Sequence, residues 1–110
     1  MTTTQTDRIR ELNDIFRRTG LTGTVLLTSG IQNLPDITQS RIVEAVQGFD
    51  TFTPDNDPYG EHDFGAVTID GYKVFWKIDY YDPTKQYGSE DPANPAVIKR
   101  VLTIMLAEEY

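Results

Sequence analysis

The segment DNDPYGEHDFG, at positions 55–65, holds the densest group of side chains that could do chemistry. It combines four carboxylates with His62, the only histidine of the chain. Carboxylates and imidazole act as general acids and bases, and both also bind metal ions. Two kinds of function therefore need to be considered: a small metal-dependent enzyme or regulator, and an acidic surface that a partner recognises.

The enzyme interpretation places a site around four neighbouring groups, Glu61, His62, Asp63 and Asp79. His62 could act as a general base oriented by a carboxylate, with Glu61 as a second catalytic group. The simpler interpretation is that His62 forms a hydrogen bond to a backbone group and orders its loop, since most polar side chains bond to backbone or water. If a metal binds, its ligands would come from Asp55, Asp57, Glu61, His62 and Asp63.

Other features of the sequence do not favour catalysis. Asp55, Asp57 and Gly60 match three positions of a calcium-binding loop, but Ala66 stands where that loop needs its bidentate glutamate. The chain has no cysteine, no glycine-flanked nucleophilic serine, no phosphate-binding glycine loop and no dinucleotide fingerprint. We therefore expect a protein that is not an enzyme, with no catalytic residues, no bound metal and no cofactor.

The net charge of −7 is confined to one part of the chain. Residues 50–91 contain ten acidic residues and three lysines, whereas acidic and basic residues balance before and after this segment. Because nucleic-acid binding depends on cations that neutralise phosphates, we expect no direct contact with nucleic acid. A basic protein surface fits this charge better.

Length and composition bound the architecture. A chain of 110 residues is the size of one domain, so we expect a single domain over residues 1–110, with a flexible N-terminus at residues 1–6. The absence of cysteine suits a reducing cytoplasm, and the sequence shows neither a signal peptide nor an apolar run of membrane-spanning length. A cytoplasmic protein without membrane contact is predicted. Its oligomeric state is open, and a homodimer through Phe64 and Phe75 is one alternative.

The first half of the sequence predicts two helices and a strand. Thr6 is the expected cap of the first helix. The segment TGTVLLTSG, at 22–30, is short, apolar and bounded by glycines, which predicts a buried strand. Asn33 then caps a second helix, which has Pro35 in its first turn and ends at Gly48.

The clearest local signal is the dipeptide Asp70-Gly71. It lies between two strand-like runs and matches the two-residue turn of a β-hairpin, in which both residues need positive φ. In the register that this turn sets, Gly65 faces Trp76 across the two strands. Gly65 would therefore leave room for the indole ring.

After the hairpin, turn-forming residues lead to a predicted final helix, with Asn94 as its cap and Pro95 in its first turn. The element order is then α-β-α-β-β-α, which predicts a small α+β single domain whose antiparallel β-hairpin sheet is covered by helices. The acidic loops at 50–63 and 79–91 flank the hairpin and could meet at the same end of it. The final helix would cover the sheet with its apolar stripe, formed by Val97, Ile98, Val101, Leu102, Met105 and Leu106.

Three segments together carry a family resemblance: FTPDNDPYGEHDFG (52–65), VFWKIDYYD (74–82) and RVLTIMLAEEY (100–110). They resemble the bacterial family called domain of unknown function 3768, and the resemblance covers residues 7–110. It implies a small protein from proteobacteria, often encoded on plasmids and other mobile elements. The family has no assigned activity, so the resemblance implies no catalytic residues.

Small acidic proteins of mobile elements are often inhibitors of host defence systems, and this analogy shapes the leading hypothesis. We expect a non-enzymatic binding protein that occupies the cationic surface of a nucleic-acid-binding protein or complex, as an anti-CRISPR or anti-restriction inhibitor would. Its carboxylates would engage arginines and lysines, and its tyrosines would be aromatic anchors. The candidate contact residues are Asp55, Asp57, Tyr59, Glu61, Asp63, Asp79, Tyr80, Tyr81, Asp82, Tyr87, Glu90 and Asp91.

Overall fold

A computed structural model of the chain describes residues 4–81, 93 and 98–110. Four strands form one mixed sheet in the order β1-β4-β3-β2, in which β1 runs parallel to β4 and the other pairs are antiparallel. The α+β class is confirmed. The elements are α1 (Gln5–Thr19), β1 (Thr24–Leu27), α2 (Ser29–Gln32), α3 (Asp36–Gln47), β2 (Phe64–Ile69), β3 (Tyr72–Tyr81), β4 (Lys99–Leu106) and a closing 3-10 turn, Ala107–Glu109.

Helix α1 begins two residues earlier than predicted. Its cap is Thr4, whose hydroxyl accepts the backbone N–H of Asp7, while the Asp7 carboxylate accepts the backbone N–H of Thr4. This reciprocal capping box satisfies two N–H groups that would otherwise lack partners. Thr6, the predicted cap, lies within the first turn. At the other end, Gly20 adopts a left-handed conformation with φ of 68° and ends the helix.

The pairing of β2 with β3 has the predicted register. Asp70 and Gly71 form the connecting turn with positive φ at both residues, and Gly65 is paired with Trp76. A Cβ atom at Gly65 would come within 2.5 Å of the Trp76 Nε1 atom, so a larger residue would have to displace the indole. Trp76 itself is completely buried.

The predicted final helix is wrong, because Lys99–Leu106 forms strand β4 in the centre of the sheet. Strand β4 carries apolar residues on both faces of the sheet, with Leu102 and Ile104 in the core and Val101 and Met105 on the opposite face, so its sequence matches helical spacing as well as strand spacing. The observed order therefore ends with a strand and not with a covering helix. The start of the predicted helix, including Asn94, Pro95 and Val97, lies outside the described residues.

Two predictions for the first half also need correction. Strand β1 lies at the edge of the sheet and is not buried, since Val25 and Leu26 are 39% and 49% exposed. Asn33 ends the short helix α2 and does not cap α3, which is preceded by Pro35 at the cap position. Proline fits a helix start because its φ is fixed near the helical value. It also has no backbone N–H that would need a hydrogen-bond partner there.

The three helices of the described residues cover one face of the sheet. On the other face, the Phe75 ring lies 5.4 Å from Phe64 and 5.5 Å from Tyr110, measured between ring centroids. The buried core between helices and sheet consists of Phe16, Ile31, Ile42, Val46, Val74, Trp76, Ile78, Leu102 and Ile104.

No helix in the described part of the chain has the length and apolar character needed to cross a membrane.

Candidate functional site

Residues 50–63, which we call the acidic loop, connect α3 to β2 and have a defined internal structure. The backbone N–H of Asp57 donates to the carbonyl of Thr53 at 2.8 Å, and the Asn56 side chain accepts the backbone N–H of Thr53 at 2.8 Å. Gly60 adopts a positive φ of 69° where the chain turns back toward α1. The carbonyl of Gly60 then accepts a hydrogen bond from Arg10 of α1 at 3.2 Å.

His62 connects the acidic loop to α1. Its Nδ1 atom lies 2.9 Å from the Asp14 carboxylate, and its Nε2 atom lies 3.5 Å from that of Asp57. The imidazole stacks on the Phe52 ring, with 3.6 Å between centroids and 5° between planes. His62 also has a positive φ of 56°, a conformation that non-glycine residues rarely adopt and that surrounding contacts must hold. His62 therefore orders its loop, although through carboxylates and not through the backbone partner that we expected.

A buried arginine extends this interaction into the core. Arg17 has no exposed surface, and its guanidinium lies 2.9 Å from Asp14. It also donates to the carbonyl of Val46 at 3.1 Å and to that of Phe49 at 2.9 Å. These bonds join α1 to the end of α3 and to Phe49, which directly precedes the acidic loop. We call the contacts that run from Arg17 through Asp14 and His62 to Asp57 the His62 network.

A second polar network lies beside the first. The buried Asn13 amide donates to the carbonyl of Glu61 at 3.0 Å and contacts the Tyr80 hydroxyl at 2.7 Å, while its oxygen accepts the Nε–H of Arg100 at 2.8 Å. The Arg100 guanidinium also lies over the Tyr80 ring. Burial raises the pKa of Tyr80 well above its usual value and lowers the pKa of Arg100. The Tyr80 hydroxyl is thus an internal contact and not a free anchor.

Two carboxyl groups at the end of the acidic loop lack a cation of their own. Burial, followed by the charge of Asp63, raises the pKa of Glu61, and burial, followed by the charge of Asp57, raises the pKa of Asp63. Within the described residues neither carboxylate has an ion-pair partner, whereas Asp79 lies 3.2 Å from Lys77. These carboxylates repel each other, and an incoming cation would relieve the repulsion.

The other candidate contact residues divide into accessible and internal groups. Asp55 is exposed, and Tyr59 and Tyr81 are 81% and 52% exposed. The Asp57 side chain is only 6% exposed, because it faces His62. Asp79, Tyr80 and Tyr81 belong to β3 and not to a loop. Four candidates lie outside the described residues: Asp82, Tyr87, Glu90 and Asp91.

The metal-site alternative finds no support in this arrangement. Among the residues that the structure describes, no group of three or more histidine, aspartate or glutamate side chains is placed to hold a metal ion. The two nitrogen atoms of His62 face Asp14 and Asp57, so neither points toward an open site.

Sequence reasoning missed the partners of these networks on α1 and β4. Asn13, Asp14 and Arg17 lie in the first helix, and Arg100 lies in the strand that was predicted as a helix. One signal was available, because Asn13 and Arg17 fall on the same face of α1 as the buried Phe16. Polar residues in an apolar stripe indicate a buried polar contact, since they must be satisfied there.

The fold and the site together define a small α+β domain in which buried polar networks fix an acidic loop against the first helix. The family model described as Protein of unknown function (DUF3768) matches residues 27–109, a span that includes the acidic loop and β2 to β4. The chain belongs to this family, domain of unknown function 3768. No curated protein and no solved structure matches the chain.

Proposed function

We propose that this chain is a small acidic binding protein, not an enzyme, whose acidic loop engages an arginine- and lysine-rich surface of a nucleic-acid-binding protein or complex. The observation that carries the proposal is the confinement of the whole net charge of −7 to residues 50–91. A field of one sign on one part of a surface attracts the opposite sign and raises association rates.

The carboxylates of the acidic loop are suited to cations from another molecule. Asp50 and Asp55 are exposed, whereas Glu61 and Asp63 are partly buried. None of these four carboxylates has an ion-pair partner among the described residues. Arginine from a partner would supply paired N–H groups that match carboxylate geometry. Binding would therefore add favourable contacts without breaking ion pairs within the chain.

Exposed tyrosines would add contact area beside these charges. Tyr59 lies in the acidic loop with 81% of its surface exposed, and Tyr81 lies at the end of β3 with 52% exposed. Tyrosine combines a large apolar ring with a polar tip, and it is enriched in protein interfaces and in their energetic centres. Tyr59 and Tyr81 are the proposed aromatic anchors.

The His62 network supports binding by fixing the acidic loop in advance. Ordering a flexible loop on binding costs free energy, and a loop that is already held by His62 and Asp57 avoids much of that cost. These two residues then act through the position of the loop and not by contacting the partner.

The target class rests on analogy. A surface of carboxylates can take the place of a phosphate backbone on a cationic protein, and we extend the proposal to restriction or CRISPR complexes, with the chain as their inhibitor. This extension comes from the resemblance to small proteins of mobile elements.

The test is capture of binding proteins from a bacterial lysate with three tagged chains. The first is the wild type, the second carries Asp50→Lys and Asp55→Lys, and the third carries Glu44→Lys and Glu108→Lys, which change the net charge equally at exposed sites outside the segment 50–91. Each capture is done at low and at high salt, and bound proteins are identified by mass spectrometry.

We expect the wild type and the Glu44/Glu108 control to retain the same basic protein, and the Asp50/Asp55 variant to lose it. High salt should release the protein, because screening weakens exposed charge pairs. Equal retention by the Asp50/Asp55 variant would overturn the proposal, and so would the absence of any basic protein from all captures.

The alternative function is a metal-dependent enzyme or regulator around Glu61, His62, Asp63 and Asp79. It requires that His62→Ala removes activity or metal while the fold keeps its stability. The contacts of His62 with Asp14 and Asp57 favour a structural role, and no specific observation favours the enzyme.

A further inference from the structure

Among the described residues, strand β2 lies at one end of the sheet, and β3 is its only strand neighbour. An edge strand presents a row of backbone donors and acceptors that can pair with another strand.

The hydrogen-bond pattern identifies the outward residues. The backbone N–H of Ile78 donates to the carbonyl of Asp63 at 2.8 Å, so this facing pair is a hydrogen-bonded one. In an antiparallel pair such residues alternate with residues whose N–H and C=O groups point away. Phe64, Ala66 and Thr68 therefore direct their backbone groups toward the open edge, and no hydrogen bond from these groups occurs within the described part of the chain.

Within the part of the chain that the structure describes, this edge lacks the features that natural proteins use to prevent strand pairing. The six residues FGAVTI contain no charge and no proline, and their register with β3 runs without a bulge. Charged side chains, prolines, bulges and short length are the usual protections. Strand β1, at the opposite edge, is protected by its length of four residues. An uncharged edge of six residues is long enough to pair with another strand.

We propose that β2 pairs with β2 of a second copy of this chain, in an antiparallel arrangement about a two-fold axis at Ala66. In this register Ala66 faces Ala66, and Phe64 of each copy faces Thr68 of the other. Each of these is a pair of outward-pointing residues, so each forms two backbone hydrogen bonds. The small alanine side chain at the axis lets two identical strands approach without a clash.

A second copy fits this edge better than a different protein does. A two-fold interface uses the same patch on both copies, so the patch must complement itself, and a neutral strand meets this condition. The antiparallel register also places Asp63 of each copy beside Ile69 of the other. At that end of β2, Arg41 is 57% exposed and lies 3.0 Å from Asp70. The Arg41–Asp70 pair of one copy would then lie at the same end of the paired strands as Asp63 of the other, so the Asp63 carboxylate would meet a region that includes a cation.

The test compares the wild type with two variants at the proposed axis and one matched control. Ala66→Pro removes one outward N–H, and proline is tolerated where the N–H of an edge strand faces solvent. Ala66→Lys places two like charges opposite each other. The control, Thr24→Lys, adds the same charge to an exposed residue of β1 at the other edge. The measurements are light-scattering mass over a range of concentrations, circular dichroism, and amide hydrogen exchange.

We expect the wild type and Thr24→Lys to have twice the chain mass at high concentration and to dissociate on dilution. Both Ala66 variants should lose the dimer at the same concentrations while keeping the circular dichroism spectrum. In the wild type, the amides of Phe64, Ala66 and Thr68 should be protected from exchange at high concentration and exposed on dilution.

Two outcomes would overturn the inference. One is a wild-type mass equal to a single chain at all concentrations. The other is a dimer in which the outward amides of β2 exchange freely, since that dimer would use another surface, such as the face with Phe64 and Phe75. If Ala66→Pro fails to fold, Ala66→Lys and the exchange of the wild-type amides still decide the question.

Discussion

His62 is the residue on which the position of the acidic loop depends. Its imidazole is 20% exposed, lies between the carboxylates of Asp14 and Asp57, and stacks on Phe52. Both carboxylates are largely removed from solvent, so each needs a hydrogen-bond donor. The contacts of His62, which first suggested catalysis, are therefore better explained by a role in stabilising the loop.

We expect His62→Ala to lower the free energy of unfolding by about 1–3 kcal/mol, because the Asp14 carboxylate, which is only 17% exposed, loses its hydrogen bond with the imidazole. Urea denaturation measures this loss, and amide exchange in residues 50–63 should become faster. Tyr59→Ala is the control, since it removes a larger side chain that is 81% exposed in the same loop. Equal stability of the two variants would contradict the structural role of His62.

At the scale of elements, local signals predicted the hairpin and missed the central strand. The turn at Asp70-Gly71 sets the register of its own neighbours, so the pairing of Gly65 with Trp76 follows from adjacent residues. Strand β4 pairs with β1, which is more than seventy positions away in the sequence, and no local pattern encodes that contact. Its apolar residues on both faces have the spacing of a helix as well.

For the candidate site, the sequence likewise predicted the residues that are adjacent in the chain and missed those that come from other elements. The sequence indicated His62 and the acidic residues around it, because they are adjacent in the chain. Asp14 and Arg17 contribute from a helix forty-eight and forty-five positions away, so their role depends on how α1 packs against the sheet. A long-range ion pair of this kind cannot be derived from spacing in a single sequence.

The 3-10 turn that follows β4 is attached to helix α2 and to the residue before it through Glu109. The Glu109 carboxylate accepts the Thr28 hydroxyl at 2.7 Å, the backbone N–H of Leu106 at 2.8 Å and that of Gly30 at 3.2 Å. The hydrogen bond from Thr28 is the main cause that lowers the pKa of Glu109 below its ordinary value of 4.5. The charged form of Glu109 is therefore more favourable in the folded chain than in the unfolded chain.

We expect Glu109→Gln to lower the melting temperature by about 3 °C at neutral pH, a small shift for a domain of this size. A lowered folded-state pKa contributes stability above the unfolded pKa, and the contribution is lost as pH falls through the folded pKa. The difference from wild type should accordingly close below pH 4.5. Glu108→Gln is the control, because this neighbour is exposed and has no described ion pair. A difference that persists in acid would contradict the assignment.

At the scale of the whole molecule, the charge that suits a basic partner is a cost to the free chain. The pKa of Asp63 is raised above its ordinary value of 3.8, first by burial and then by the charges of Asp57 and Asp79. A carboxyl group whose pKa is raised on folding binds protons more tightly in the folded state, so stability falls as pH rises through the folded pKa. The Asp63 carboxylate of the proposed binding surface therefore lowers the free energy of unfolding of the free chain at neutral pH.

We expect Asp63→Asn to raise the free energy of unfolding at neutral pH by about 0.5 kcal/mol, the scale of partly exposed charge interactions. The gain should disappear as pH falls toward 3.8, because wild-type Asp63 is then protonated and neutral as well. Thermal unfolding across the acidic pH range measures this. Asp55→Asn, at an exposed position of the same loop, should give no comparable gain; a loss of stability in Asp63→Asn at neutral pH would show that the carboxylate is satisfied.

The complete burial of Trp76 has a practical consequence. It is the only tryptophan of the chain, and its ring lies 5.2 Å from the Arg17 guanidinium and 5.5 Å from the Phe49 ring. A shielded indole emits fluorescence at shorter wavelength than one in water, so unfolding should shift the emission to the red. Because Arg17 and Phe49 belong to the contacts that hold the acidic loop, the emission of this single native fluorophore should also respond when that loop detaches, without any added label.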